Sequence, residues 1–138
     1  MKFREPQPRR WLAAIALMAV IFIFSSIPKG TLIPDFEVWD LLIKKSAHLL
    51  IYGLLALSYL WGFTGWAGIK WQHLAGALLM SILYGISDEY HQIFTPGRNG
   101  NIIDVAIDML GASIALLIWS IYFRWKFGEE FGPGLKIE

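Results

Sequence analysis

Between Ser87 and Asp108 the chain reads SDEYHQIFTPGRNGNIIDVAID, with apolar segments on both sides, one ending near Ile86 and one starting at Ile102. Asp88, Glu89, His91, Gln92, Arg98, Asp104 and Asp108 fall in this stretch. Polar groups therefore reach a turn or more into two helices that are otherwise suited to hydrocarbon. Ionisable side chains at such depth are costly and need partners, which ties the fold to whatever neutralises them.

The rest of the chain supports a membrane setting. Of its 138 residues, 56% are hydrophobic and 17% charged, with a mean hydropathy of +0.50. Charged residues usually make up roughly 25% of soluble domains. A water-soluble fold of this length could not hide so much apolar surface, whereas lipid can solvate it. A single domain over 1–138 is expected, since no second core, repeat or low-complexity tract is visible. Cysteine is absent, which excludes disulfides and thiolate metal sites. A formal net charge of +1 gives no reason to expect a nucleic-acid partner.

A basic lead of Lys2, Arg4, Arg9 and Arg10 precedes an apolar run from Trp11 to Ile27 that Pro28 stops. At about 1.5 Å per residue the run approaches the thickness of the hydrocarbon core. FSSIPKG offers no good small-x-small cleavage site, so a retained helix is favoured over a signal peptide. Phe36, Trp39 and Ile43 fall at helical spacing with Asp35, Glu37 and Asp40 between them, as in a short interfacial helix. Asp40 can pair with Lys44, and the segment is expected to run into a second membrane helix from about Lys45 to Trp61. GFTGWAGIKW makes a tight connection, with Trp61, Trp66 and Trp71 suited to the interface. A third helix is expected from about Trp71 past Asp88 to as far as Phe94, then a TPGR turn with Gly97 at positive φ. Asn101 can cap a fourth helix ending near Phe123, with Asp104 completing an imperfect capping box.

The fold class is thus all-α: a polytopic bundle of about four transmembrane helices with a short interfacial helix. Orientation follows from lysine and arginine placement. With the N-terminus inside, Lys2, Arg4, Arg9, Arg10, Lys70, Arg124, Lys126 and Lys136 are cytoplasmic, against Lys29, Lys44, Lys45 and Arg98 outside. Both termini are then cytoplasmic, and the polar stretch lies at the outer leaflet.

Three helix ends converge there. Lys45, His48 and Tyr52 share a face of the second helix. Ser81, Gly85, Asp88 and Gln92 form a small-and-polar stripe on the third, bordered by Glu89, and Asp104, Asp108, Gly111 and Ala115 form another on the fourth. Gly111-x-x-x-Ala115 has the form of a helix-packing seam. Stripes of this kind turn inward, because lipid would leave their polar groups unpaired.

KSAHLLIYGLLAL, DEYHQIFTPGR and DVAIDMLGA together resemble the VanZ-like membrane protein family. Lys45, His48, Tyr52, Asp88, Glu89, Gln92, Pro96, Gly97, Arg98, Asp104 and Gly111 match the family pattern, while Asp108 stands where asparagine is commoner. The resemblance implies an integral protein of the bacterial cytoplasmic membrane, in a family whose name comes from resistance to the glycopeptide teicoplanin. It supplies no established reaction.

Function then rests on the residues. Asp104 sits in the first turn of its helix, where the dipole favours a carboxylate by about 0.3–1 kcal/mol. Asp108 lies one turn deeper, where the dipole explains it poorly. It calls for protonation or for a partner among Lys45, His48 and Arg98. Lys45 and Arg98 can hold a phosphate, or serve only as counter-ions. His48 can act as base, metal ligand or buried hydrogen-bonding group; a site with Asp88 and Asp108 is conceivable, but no HExxH spacing exists, and neither metal nor cofactor is expected. His91 points away from the Asp88–Gln92 stripe, and His73 lies near the opposite end.

The favoured reading is a binder of a phosphate- or sugar-bearing envelope lipid or lipid-linked cell-wall precursor. Its ligand-binding residues are Lys45, Tyr52, Glu89, Gln92, Arg98 and Asp104. The alternative is an enzyme on the same lipids, by phosphoryl or glycosyl transfer, with Asp88, His48 and Asp108 as acid–base or nucleophilic groups. Whether the chain is an enzyme stays open, as does a homo-oligomer. A proton- or ion-coupled transporter ranks third, because the polar groups stop at one leaflet.

Overall fold

The structure, a computed structural model, describes residues 7–29, 37–65 and 69–127, with the side chains of 37–41 also excluded. The proposed Asp40–Lys44 pair, Phe36, the Trp39 side chain and Trp66 lie outside the described residues, as does the charged tail after residue 127. Four α-helices run α1 (Leu12–Ser25), α2 (Glu37–Thr64), α3 (Trp71–Gln92) and α4 (Ile102–Phe127), and a 3-10 turn over Pro8–Trp11 leads into α1. The fold is all-α, with no strand among the described residues.

Three of these helices are long and apolar enough to cross a membrane, over Pro8–Ser25, Leu42–Thr64 and Ile102–Lys126. The expected interfacial segment and second helix form one continuous α2 of 28 residues. At 1.5 Å per residue that is about 42 Å, longer than the hydrocarbon core. Its first turns therefore extend beyond the span that begins at Leu42.

Helix α3 has 22 residues but is not among the three, since it carries Gln72 and His73 at one end and Asp88, Glu89, His91 and Gln92 at the other. Its polar groups are turned inward. The buried positions are Ala77, Ser81, Gly85, Asp88, Glu89 and Gln92, one stripe at three- and four-residue spacing. Leu79, Leu83, Ile86 and Tyr90 on the other side are exposed. An apolar outward face of that kind is what hydrocarbon solvates, so α3 fits a bilayer beside α2 and α4.

The core is made mainly by α2, with Tyr52, Leu55, Ala56, Tyr59 and Leu60 buried against Ala77, Ala112 and Leu116. Helices α2 and α4 make the closest approach. A Cβ on Gly111 would collide with the Leu49 carbonyl oxygen, so only glycine permits this crossing. The seam expected at Gly111 and Ala115 is therefore the α2–α4 contact, with Ala115 Cβ 3.2 Å from where a Cβ on Gly53 would stand.

Helix α1 is attached at both ends and in the middle. Trp11 packs on Tyr59 and Phe63 of α2, with ring centroids 6.3 and 5.1 Å away. Tyr84 of α3 donates to the Met18 carbonyl at 2.6 Å. The TPGR turn has the expected form: Gly97 is at φ +74°, and Arg98 N–H donates to Thr95 O at 3.1 Å. Helix α4 is capped, as expected, by Asn101, whose Oδ1 accepts from Ile103 N–H at 3.0 Å. It ends four residues past Phe123, at Phe127.

Candidate functional site

The chain direction through α2, α3 and α4 brings the start of α2, the end of α3 and the start of α4 to the same end of the bundle. His48 Nδ1 lies 3.0 Å from Asp108 Oδ1, and Lys45 Nζ 2.9 Å from Asp104 Oδ1. Lys45 and His48 are three residues apart on α2, and Asp104 and Asp108 are four apart on α4. The two helices thus present matched ladders, and each basic group finds the acid one turn along. The Lys45–Asp104 pair is about one-third exposed, so its net worth is modest, on the order of 1 kcal/mol or less. Asp108, at 1% exposure, is in a different situation and depends on its partners.

Asp88 and Glu89 are both buried, and Gln92 joins them. Its Nε2 donates to Asp88 Oδ2 and to Glu89 Oε1, each at 3.0 Å. Adjacent residues on a helix point about 100° apart, and the two carboxylates serve different neighbours. Glu89 Oε2 accepts from Asn101 N–H at 2.7 Å. Glu89 reaches across from α3 to satisfy the cap donor that a capping box would have left to Asp104. Asp104 is drawn instead to Lys45.

Tyr52, fully buried one turn along α2 from His48, stacks with the His48 ring at 6.2 Å and an interplanar angle of 9°. Gly85 of α3 opposes it. A Cβ there would stand 3.2 Å from Asp108 Oδ2 and 3.4 Å from the Tyr52 ring. Three polar atoms in this corner are buried without a hydrogen-bond partner: Tyr52 Oη, Asp88 Oδ1 and Asp108 Oδ2.

Arg98 has a role that its sequence neighbours do not announce. Its Nε donates to Ile27 O at 2.8 Å, Nη2 to Phe24 O at 2.8 Å and Nη1 to Gln92 Oε1 at 3.4 Å. The guanidinium thus closes the C-terminal end of α1, where orphan carbonyls and the helix dipole favour a cation. Asp108, for which the sequence makes Arg98 a candidate partner, is not among these acceptors. Nearby, His91 Nε2 meets Ser26 Oγ at 3.0 Å, and its ring packs on Phe22 with centroids 4.6 Å apart. His91 is therefore turned away from the polar stripe, and its partner is α1. His73 sits at the far end of α3, where its Nδ1 accepts from Lys70 N–H at 3.1 Å.

All nine residues singled out from the sequence lie at one end of the bundle. Tyr52, Asp88, Glu89, Gln92 and Asp108 make the buried part, with His48 half-buried beside them. Lys45 and Asp104 stand at its partly exposed edge, and Arg98 links it to α1. Sequence reasoning did not find the α1 carbonyls of Phe24 and Ile27 or the Ser26 hydroxyl. The only signal was the Ser25-Ser26 pair just before Pro28, at the end of an otherwise apolar run.

A helical membrane protein with a polar corner built from three helices is the class that fold and site define. The VanZ/LLP1 family model matches residues 10–123, which cover all four helices but the last turn of α4. The chain belongs to that family. No curated protein and no solved structure matches it.

Proposed function

We propose that this chain binds the headgroup of a phosphate- or sugar-bearing envelope lipid or lipid-linked precursor at the corner formed by α2, α3 and α4. One observation carries the reading: Tyr52 Oη, Asp88 Oδ1 and Asp108 Oδ2 are buried together without partners in a bundle whose outer surface is apolar. Each such atom costs about 1–3 kcal/mol when left unpaired. A ligand rich in hydroxyls satisfies them, and the exposed edge with Lys45 meets its phosphate. Lysine and arginine placement puts the corner at the outer leaflet, with both termini in the cytoplasm. Occupancy alone would then alter access of glycopeptides to wall precursors, in line with the resistance for which the family is named.

Binding of purified protein in nanodiscs to undecaprenyl-linked lipids tests this. Lys45→Ala is expected to weaken binding about tenfold, the loss of one charge-assisted contact. Absence of saturable binding by the wild type would overturn the reading. Equal binding by Arg98→Ala and wild type would assign Arg98 to α1 alone.

A second reading is favoured by the His48–Asp108 pair. A carboxylate that holds one imidazole nitrogen orients the ring and leaves the other nitrogen for proton transfer. On this reading the corner hydrolyses or transfers a phosphoryl or glycosyl group on the same lipids, with Asp88 beside it. Product formation in proteoliposomes, lost in His48→Gln, separates it from binding alone.

A further inference from the structure

We propose that His48, Glu89 and Asp108 form a site for one divalent transition-metal cation, with Mn2+ or Zn2+ the ions that suit its donors. A ring nitrogen of His48 and one carboxylate oxygen each from Glu89 and Asp108 all lie within 4.8 Å of one another. Ligand atoms about 2.1 Å from a shared ion stand roughly 3–3.5 Å apart. Side-chain rotations that close the group by on the order of an ångström therefore complete a coordination triangle. The three donors come from α2, α3 and α4, one from each, so no local sequence spacing reveals them.

An independent observation points to a ligand. Asp108 is 1% exposed, and its Oδ2 has no hydrogen-bond partner. That oxygen faces α3, standing 3.2 Å from where a Cβ on Gly85 would be, and Glu89 is the residue one turn further along the same buried stripe. Asp88 Oδ1, on the same helix, is also buried and unpartnered. The remaining Asp108 oxygen is on His48, while Glu89 accepts one hydrogen bond on each oxygen and keeps lone pairs for an ion.

The charge balance points the same way. Asp88, Glu89 and Asp108 are grouped behind the edge, while Lys45 is held by Asp104 and Arg98 by Gln92 and the carbonyls of α1. The basic group that meets these acids is His48, on Asp108, and a divalent cation balances the rest. One imidazole with two carboxylates is a borderline donor set, which favours Mn2+ or Zn2+ over Mg2+ and Ca2+. Three protein ligands leave positions open for exogenous oxygen. If the lipid reading above holds, a phosphate oxygen takes one of them, and the ion rather than a side chain offsets the acidity of the corner. That link rests on the lipid reading; the ion site does not.

Full-length protein purified in detergent and stripped with EDTA, then titrated with MnCl2 or ZnCl2 alone, tests the site. The expected result is saturable binding of about one ion per chain, weakened at least tenfold in both Asp108→Asn and Glu89→Gln, the scale of losses seen even for outer ligands. Should a carboxylate variant fail to fold, His48→Asn provides the same comparison. No saturable binding of either ion, or unchanged affinity in the folded variants, overturns the proposal. Lipid binding that persists in EDTA by a protein that takes up no ion removes the metal site and leaves the lipid reading standing. Ion binding without lipid affinity does the reverse.

Discussion

Tyr52 and Gln92 show how differently two buried polar residues behave. The Tyr52 hydroxyl is fully buried and has no partner. Tyr52→Phe therefore removes a group that folding leaves unsatisfied. Thermal unfolding in detergent should show stability unchanged or raised by up to about 1 kcal/mol, while lipid binding falls. A large loss of stability would mean that the hydroxyl is structural. Gln92 is the opposite case, since one amide nitrogen serves both Asp88 and Glu89. Gln92→Glu deletes that donor and adds a third acid to a buried pair. Destabilisation of about 1–3 kcal/mol is expected in the same assay, since a donor to two buried acids is lost while Arg98 Nη1 stays beside the new carboxylate. Asp108→Asn should be milder, because its Oδ1 still accepts from His48, although the amide also places N–H donors where the buried Oδ2 stood.

At the scale of elements, the α2–α4 crossing and the attachment of α1 are separate devices. Gly111→Ala places a methyl against the Leu49 carbonyl, so the helices must move apart. The cost is expected at about 1–3 kcal/mol or more. The His48–Asp108 contact should weaken with it, which the histidine ring resonances of the folded protein would report. Arg98→Ala leaves α2, α3 and α4 together and frees the end of α1. Limited proteolysis should then cut near residue 28 faster, with a stability loss on the order of 2 kcal/mol. Arg98→Lys should recover only part of this, because an ammonium lacks the planar fork that reaches Phe24 O, Ile27 O and Gln92 together.

Over the whole molecule, what could be read in advance follows from which forces are local. Helix faces are set by spacing, so the Lys45–His48–Tyr52 and Asp104–Asp108 ladders were legible. The cap at Asn101 and the positive φ at Gly97 depend on residues beside them, and they too were legible. Pairings between helices were not fixed by spacing. Asp104 could have completed its own cap, yet Lys45 takes it, and Glu89 crosses from α3 to fill the vacancy. Arg98 was the hardest residue to place, because its partners are backbone carbonyls, which carry no side-chain identity. Helix α3 shows the limit of hydropathy: its inward stripe lowers the average of a helix whose outer face is apolar.

Helices α2 and α4 meet at the shared corner through His48 and Asp108. The chain has no native cysteine, so a His48→Cys, Asp108→Cys double variant in native membranes can be treated with a short thiol-specific cross-linker. Near-complete internal cross-linking is the predicted result, with none in a Leu42→Cys, Ile118→Cys pair at exposed positions several turns apart along the same helices. Cross-linking of the exposed pair in place of the buried one would contradict the shared polar corner and everything drawn from it.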